Sequence, residues 1–171
     1  MLNDNKPARA QTLPFYLADG SSDVALIRGR MSSVGTAAST IIERHDYPDL
    51  VGRLQAEALA LATCLSSTFK FDGVFTLQAK GDGLVSTLFA DITEAGNLRG
   101  YCALNEDQSQ LSATQLAQPN DDAIHIVPLM GDGYIAFTVD DAATGGRYQG
   151  IVELNGPHLS DAAMRWFENS E

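Results

Sequence analysis

Apolar residues change their spacing several times along this chain, and each change marks a structural tract. Leu13, Phe15 and Leu17 alternate with Pro14 and Tyr16. That period of two predicts an edge strand, because Pro14 has no N–H to give to a central ladder. Asp19-Gly20-Ser21-Ser22-Asp23 reads as a turn, and Val24 to Met31 as a second strand. From Gly35 the period lengthens. Val34 to Arg44, rich in Ala, Ser and Thr, predicts a helix that His45-Asp46-Tyr47-Pro48 punctuates. Asp46 is the candidate cap of the next helix, with Pro48 in a first turn whose backbone donors lack partners anyway. That helix is expected from Asp49 to about Phe69. Leu50, Leu54, Ala58, Leu61 and Leu65 form one stripe, and Val51, Ala60, Ala62 and Cys64 carry apolar character to other faces. A helix apolar on most sides is covered on most sides, so this one is expected at the centre of the fold.

After Phe71-Asp72-Gly73 the period returns to two. Phe75, Leu77 and Ala79 alternate with Thr76, Gln78 and Lys80, and Gly81-Asp82-Gly83 predicts a tight turn. Leu84 to Asp91, Leu98 to Leu104, Gly133 to Asp140 and Arg147 to Leu154 are further strands. Residues 105–122 are polar and acidic, which predicts a long mobile connection. Ser160 is the candidate cap of a last helix carrying Ala163, Trp166 and Phe167. That helix stops without a glycine cap, and Glu168 and Glu171 sit at the unfavourable end of its dipole. An amphipathic helix cut so abruptly predicts that the natural chain continues. The expected fold class is α+β: a twisted, mainly antiparallel β-sheet system packed on a buried central helix. Residues 1–12 are expected to be a flexible N-terminal segment and 13–171 a single domain.

Sliding residues 81–105 onto 131–155 matches 8 of 25 positions without a gap, among them Gly81/Gly131, Gly83/Gly133, Gly100/Gly150 and Asn105/Asn155. About one or two matches are expected by composition. Two equivalent strand–turn–strand units would produce this echo. Shared turn chemistry would produce its glycines alone.

Composition narrows the function. The 171 residues are 44% hydrophobic, enough for a real core. Asp plus Glu is 22 against 11 Lys plus Arg, a net charge of -11. That excess argues against nucleic acid and against an anionic membrane surface as partners. No apolar run approaches the roughly 20 residues of a spanning helix. The polar N-terminus shows no leader pattern, so a cytoplasmic location is expected. Cys64 and Cys102 make neither a disulfide framework nor a four-ligand zinc site, so no cofactor is expected in this chain.

Candidate chemistry is sparse. Gly131-x-Gly133-x-x-Ala136 fits a dinucleotide fingerprint in form, but the residues after it are β-prone where the fingerprint needs a helix. It reads as a hairpin turn. His45 beside Glu43 and Asp46 could be a general base with a carboxylate, or a histidine at a helix boundary. His125 and His158 have no partner at metal-ligand spacing. Cys64 and Cys102 sit in apolar runs and read as packing residues. Trp166 and Phe167 are expected in the core; the alternative is a patch that another segment covers. An enzyme would have to gather His45, its carboxylates and the Gly131-Asp132-Gly133 loop in one concave site.

Six stretches together carry a resemblance. They are Glu43-Arg44-His45-Asp46-Tyr47-Pro48, Lys70-Phe71-Asp72-Gly73, Leu77-Gln78 with Gly81-Asp82-Gly83, Leu98-Arg99-Gly100-Tyr101, Arg147-Tyr148-Gln149-Gly150-Ile151-Val152 and Trp166-Phe167-Glu168-Asn169-Ser170-Glu171. In order, across about residues 13–171, they resemble the N-terminal domain of the redox-regulated bacterial heat-shock chaperone of thirty-three kilodaltons. The resemblance implies an ATP-independent holdase that binds unfolding clients in oxidative heat stress, not an enzyme. The family's switch is a C-terminal zinc module with Cys-x-Cys and Cys-x-x-Cys. Cys64 and Cys102 match neither pair, so zinc and redox sensing transfer to no residue of this chain. The resemblance assigns no client-binding residues. A homodimer, or a scaffold domain whose client binding lies elsewhere, stands as the alternative.

Overall fold

A computed structural model describes residues 10–18, 20, 26–105 and 129–169. Two antiparallel strands, β1 (Gln11–Leu17) and β2 (Ile27–Ser33), come first. Helices α1 (Gly35–Glu43) and α2 (Asp49–Ser66) follow. Strands β3 (Gly73–Gly81), β4 (Val85–Thr93), β5 (Leu98–Leu104), β6 (Gly133–Asp141) and β7 (Gly146–Glu153) make a second antiparallel sheet in the order β5-β4-β3-β6-β7. Helix α3 (Leu159–Glu168) closes the described chain. The α+β reading with a mainly antiparallel sheet system therefore holds.

The apolar girth of α2 explains the layering. Val51, Leu54, Ala58, Leu59 and Ala62 are fully buried. One side of the helix lies on Phe75, Leu77 and Ala79 of β3 and on their ladder neighbours Leu88, Ala90, Ile135 and Phe137. The opposite side meets the β1–β2 ribbon: Ser32 Oγ donates to the Ala60 carbonyl at 3.0 Å, and Thr12 Oγ1 to that of Thr63 at 3.5 Å. The helix stops at Ser66, short of Phe69. The hydroxyls of Ser66, Ser67 and Thr68 turn back onto the carbonyls of Thr63, Cys64 and Leu65, satisfying the last turn locally.

Both expected caps are corrected. Asp46 does not cap α2; it sits in the left-handed region at φ 49° in the turn after α1, and Pro48 is the residue at the cap position, with no side-chain hydrogen bond. Ser160 does not cap α3. His158 does, in a reciprocal box with Asp161, whose carboxylate accepts the His158 amide at 2.9 Å. Glu168 does end the helix, offset by Arg165 in the same last turn. The second strand begins at Ile27, later than the pattern implied, and β1 begins at Gln11, inside the segment expected to be flexible. The rest of that segment, the connection 106–122 and Glu171 lie outside the described residues.

The fifty-residue echo resolves into two parts. The glycine loops are spatial neighbours. Gly81 pairs with Gly133, the Asp82 amide donates to the Asp132 carbonyl at 3.1 Å, and Gly83 donates to Met130 at 2.8 Å. A Cβ on Gly81 would stand 2.0 Å from the Met130 carbonyl oxygen, so this close approach requires glycine. Beyond the loops, β4–β5 and β6–β7 are both hairpins whose first strand pairs with β3. Their registers differ: Gly100 opposes Ala90, but Gly150 opposes Phe137 and not Asp140. The echo is one of loop contact, not of superposable units.

Gly100 and Gly150 nevertheless share a task. Both lie on the helix-covered face of the sheet and leave a slot for a side chain above them. Gln55 of α2 fills the first and the Trp166 indole fills the second, where a Cβ would lie 2.4 Å and 2.0 Å from the nearest side-chain nitrogen. Trp166 is buried and stacks on Phe137 with ring centroids 4.6 Å apart, as the core reading expected; Phe167 is half-exposed.

Candidate functional site

The groups an enzyme would need are kept apart. His45 stacks on Tyr47 at 5.0 Å and meets the edge of Tyr101 at 5.7 Å. The Tyr47 hydroxyl in turn accepts the Cys102 amide at 2.8 Å. His45 thus belongs to an aromatic cluster on the β5 edge. The Gly131-Asp132-Gly133 loop opens β6, three strand spacings or roughly 14 Å across the sheet. Strand β6 follows that loop directly, so no helix N-terminus faces a phosphate there. His158 caps α3, and His125 lies outside the described residues. Among the described residues, no three His, Cys, Asp or Glu side chains are placed to hold a metal, and no helix is long and apolar enough to cross a membrane.

The cysteines serve packing. Cys64 Sγ lies 3.8 Å from the Arg30 carbonyl and joins α2 to the ribbon. Cys102 is buried against Gln55, donating to Oε1 at 3.1 Å, while Gln55 Nε2 donates to the Phe89 carbonyl. Burial pushes the Cys102 thiol from its ordinary 9.0 up to about 12. The unfolded thiol ionises near 9.0, whereas the folded one keeps its proton to about 12. Stability is therefore undiminished below the unfolded value and falls as pH climbs between the two. Alkylation of the folded protein at mildly alkaline pH is expected to spare Cys102, and unfolding in urea to expose it. Peptide mass mapping checks this, and rapid native labelling of Cys102 would contradict it.

A cleft of about 410 Å³ opens between β1, the end of α2 and the β4–β5 turn. Its hydroxyls from Thr12, Ser66 and Ser67 already bond to helix carbonyls, so it presents the spent end of α2.

The chemically unusual surface is the β1–β2 ribbon. Register pairs Leu13 with Met31, Phe15 with Gly29 and Leu17 with Ile27, all on one face. The other face carries Thr12, Arg30 and Ser32, and it is this polar face that meets α2. The reason is local. Around Ala60, Thr63 and Cys64 the helix offers small side chains and accepting carbonyls, which suit hydroxyls better than bulk. The apolar face is left pointing into solvent: Leu13 is 65% exposed, Ile27 56% and Met31 66%. Phe15 lies flat across Gly29, where a Cβ would come within 2.0 Å of its Cζ, and so the ring spreads over the ribbon. Adjacent Leu26 is equally bare. A contiguous apolar face of this kind marks a place for another apolar chain. The alternation of Leu13, Phe15 and Leu17 showed that these residues share a face. It did not show which way that face turns.

Comparison with known proteins bears on what such a surface is for. The family model described as Hsp33 protein matches residues 16–171. The 33 kDa chaperonin of Caulobacter vibrioides is 34% identical over 145 residues, covering 85% of this chain and 46% of that protein. The 33 kDa chaperonin of Pseudomonas fluorescens strain SBW25 is 35% identical over 144 residues, covering 84% and 44%. The chain spans about half the length of these relatives. The crystal structure of the 33 kDa chaperonin from Thermotoga maritima shares the fold, with a TM-score of 0.73 at 17% identity, covering 95% of this chain and 51% of that one.

Proposed function

Because the chain belongs to the Hsp33 family, we propose that it is an ATP-independent holdase that captures unfolding proteins on the apolar face of β1 and β2. Its clients are cytoplasmic proteins losing structure in oxidative heat stress, and it carries out no covalent chemistry. The observation that supports this reading is the inverted ribbon, which packs its polar face inward and shows Leu13, Phe15, Leu17, Ile27 and Met31 outward. Unfolded chains expose apolar segments of about this size, and the hydrophobic effect needs no defined client sequence. The net charge of -11 opposes co-aggregation once client is bound.

Zinc does not fit this part of the molecule. Cys64 faces the Arg30 carbonyl and Cys102 faces Gln55, on different elements. Capture by this chain is therefore independent of redox state. The test is light scattering from a chemically unfolded protein diluted with and without this chain, in reductant and after peroxide, with zinc assayed alongside. Equal suppression in both conditions is the expected result. Absence of suppression, or peroxide-triggered activation with stoichiometric zinc release, would overturn the proposal.

A further inference from the structure

The five-stranded sheet has two edges, and they are treated differently. On the β5 edge, the outward Cys102 amide is taken by the Tyr47 hydroxyl at 2.8 Å, with His45 stacked behind it. On the β7 edge, nothing among the described residues plays that part. The Leu154 amide donates to the Gly133 carbonyl at 2.9 Å. Ladder alternation then turns the even-numbered residues of β7 toward β6 and sends the amides and carbonyls of Arg147, Gln149, Ile151 and Glu153 outward. The strand is 8 residues long and contains neither Pro nor Lys, two of the usual means of blunting an edge.

Its charges say what fits. Arg147 and Glu153 lie three residues either side of Gly150. Antiparallel pairing of β7 with itself, centred on Gly150, sets Arg147 of each copy opposite Glu153 of the other and Gln149 opposite Ile151. Each of these pairs shares a face, and the outward backbone groups meet in register. The Arg147 side chain is largely exposed and only loosely held by Asp140 at 3.5 Å, so it can reach across. Ile151, 58% exposed, gains cover at the same seam. Helix α3 packs over β7 and carries exposed Met164 and Phe167 next to the joint.

We propose that two copies of this chain join antiparallel through β7, about a twofold axis at Gly150, into one ten-stranded sheet. A passing client strand has no fixed charges to satisfy both ends of β7; a second copy always does. The proposal is separate from the holdase reading, which rests on the ribbon.

Sedimentation across micromolar to sub-millimolar concentrations tests it. The native chain is expected to show a concentration-dependent dimer. Arg147→Glu alone and Glu153→Arg alone each set like charges opposite one another twice, and each weakens self-association about tenfold or more. Mixing the two variants restores a dimer, because every facing pair is then opposite in sign. Ile151→Pro removes one outward N–H while sparing the β6 ladder, and gives a monomer with unchanged circular dichroism. A native monomer throughout the range, or a dimer indifferent to both charge reversals, or a mixture that fails to associate, would each overturn the proposal. Suppression of aggregation, measured on the same samples, reports on the ribbon independently.

Discussion

Trp166→Ala is expected to destabilise the fold by about 3–5 kcal/mol and Gly150→Val by about 1–3 kcal/mol, while the double variant loses clearly less than the sum. The indole is buried and touches Phe137 and Phe69, with centroids 4.6 and 5.8 Å away. Removing it opens a cavity between α3 and the sheet. Adding a side chain at Gly150 does the reverse, because a Cβ there would stand 2.0 Å from Trp166 Nε1 and force the ring out of its slot. With alanine at 166 the slot is vacant and valine has room, so the two changes relieve each other. Urea midpoints of the four proteins measure this coupling. Strict additivity would mean that Gly150 is required for its backbone and not for the ring above it.

Leu13→Gln with Met31→Gln is expected to weaken client capture at least about tenfold and to leave the melting temperature within about 2 °C. The two residues face each other across β1 and β2 and are 65% and 66% exposed. Their side chains are already in water, so the folded state loses little packing when they become polar. A client loses the centre of its docking face. Glutamine is chosen over glutamate because opposed like charges would strain the ribbon itself. The same assay and a thermal melt decide it. Undiminished suppression would move client binding off the ribbon, and a large fall in melting temperature would show that these side chains hold the fold.

Much of this fold was legible because its signals are local. The apolar girth of α2 needs covering on both sides, and both sides are covered. The alternation in β3 through β7 located every strand to within a residue or two. The caps were not legible, because Asp46 and Ser160 have the right chemistry one or more residues from where each helix starts. The His158 box depended on Asp161 turning back, a matter of geometry. The functional face was the hardest to read. Period two assigns Leu13, Phe15 and Leu17 to a common side, but whether that side meets the core depends on what α2 presents sixty residues along the chain. Ala60, Thr63 and Cys64 present small groups and carbonyls, and so the usual arrangement is reversed.

The central place of β3 has a kinetic consequence. Strands β3, β4 and β5 follow one another through short turns and can form a meander from neighbouring chain. The other side of β3 is filled by β6, whose pairing brings Gly81 to Gly133. Closing a loop of that length costs roughly 3.5 kcal/mol of chain entropy beyond a constant. The paired glycine loops are the point at which that closure is locked. Until then β3 has a bare flank, the kind of exposed edge that seeds misassembly. Synthesis from the N-terminus lengthens that interval, since β3 emerges well before the strand that covers it.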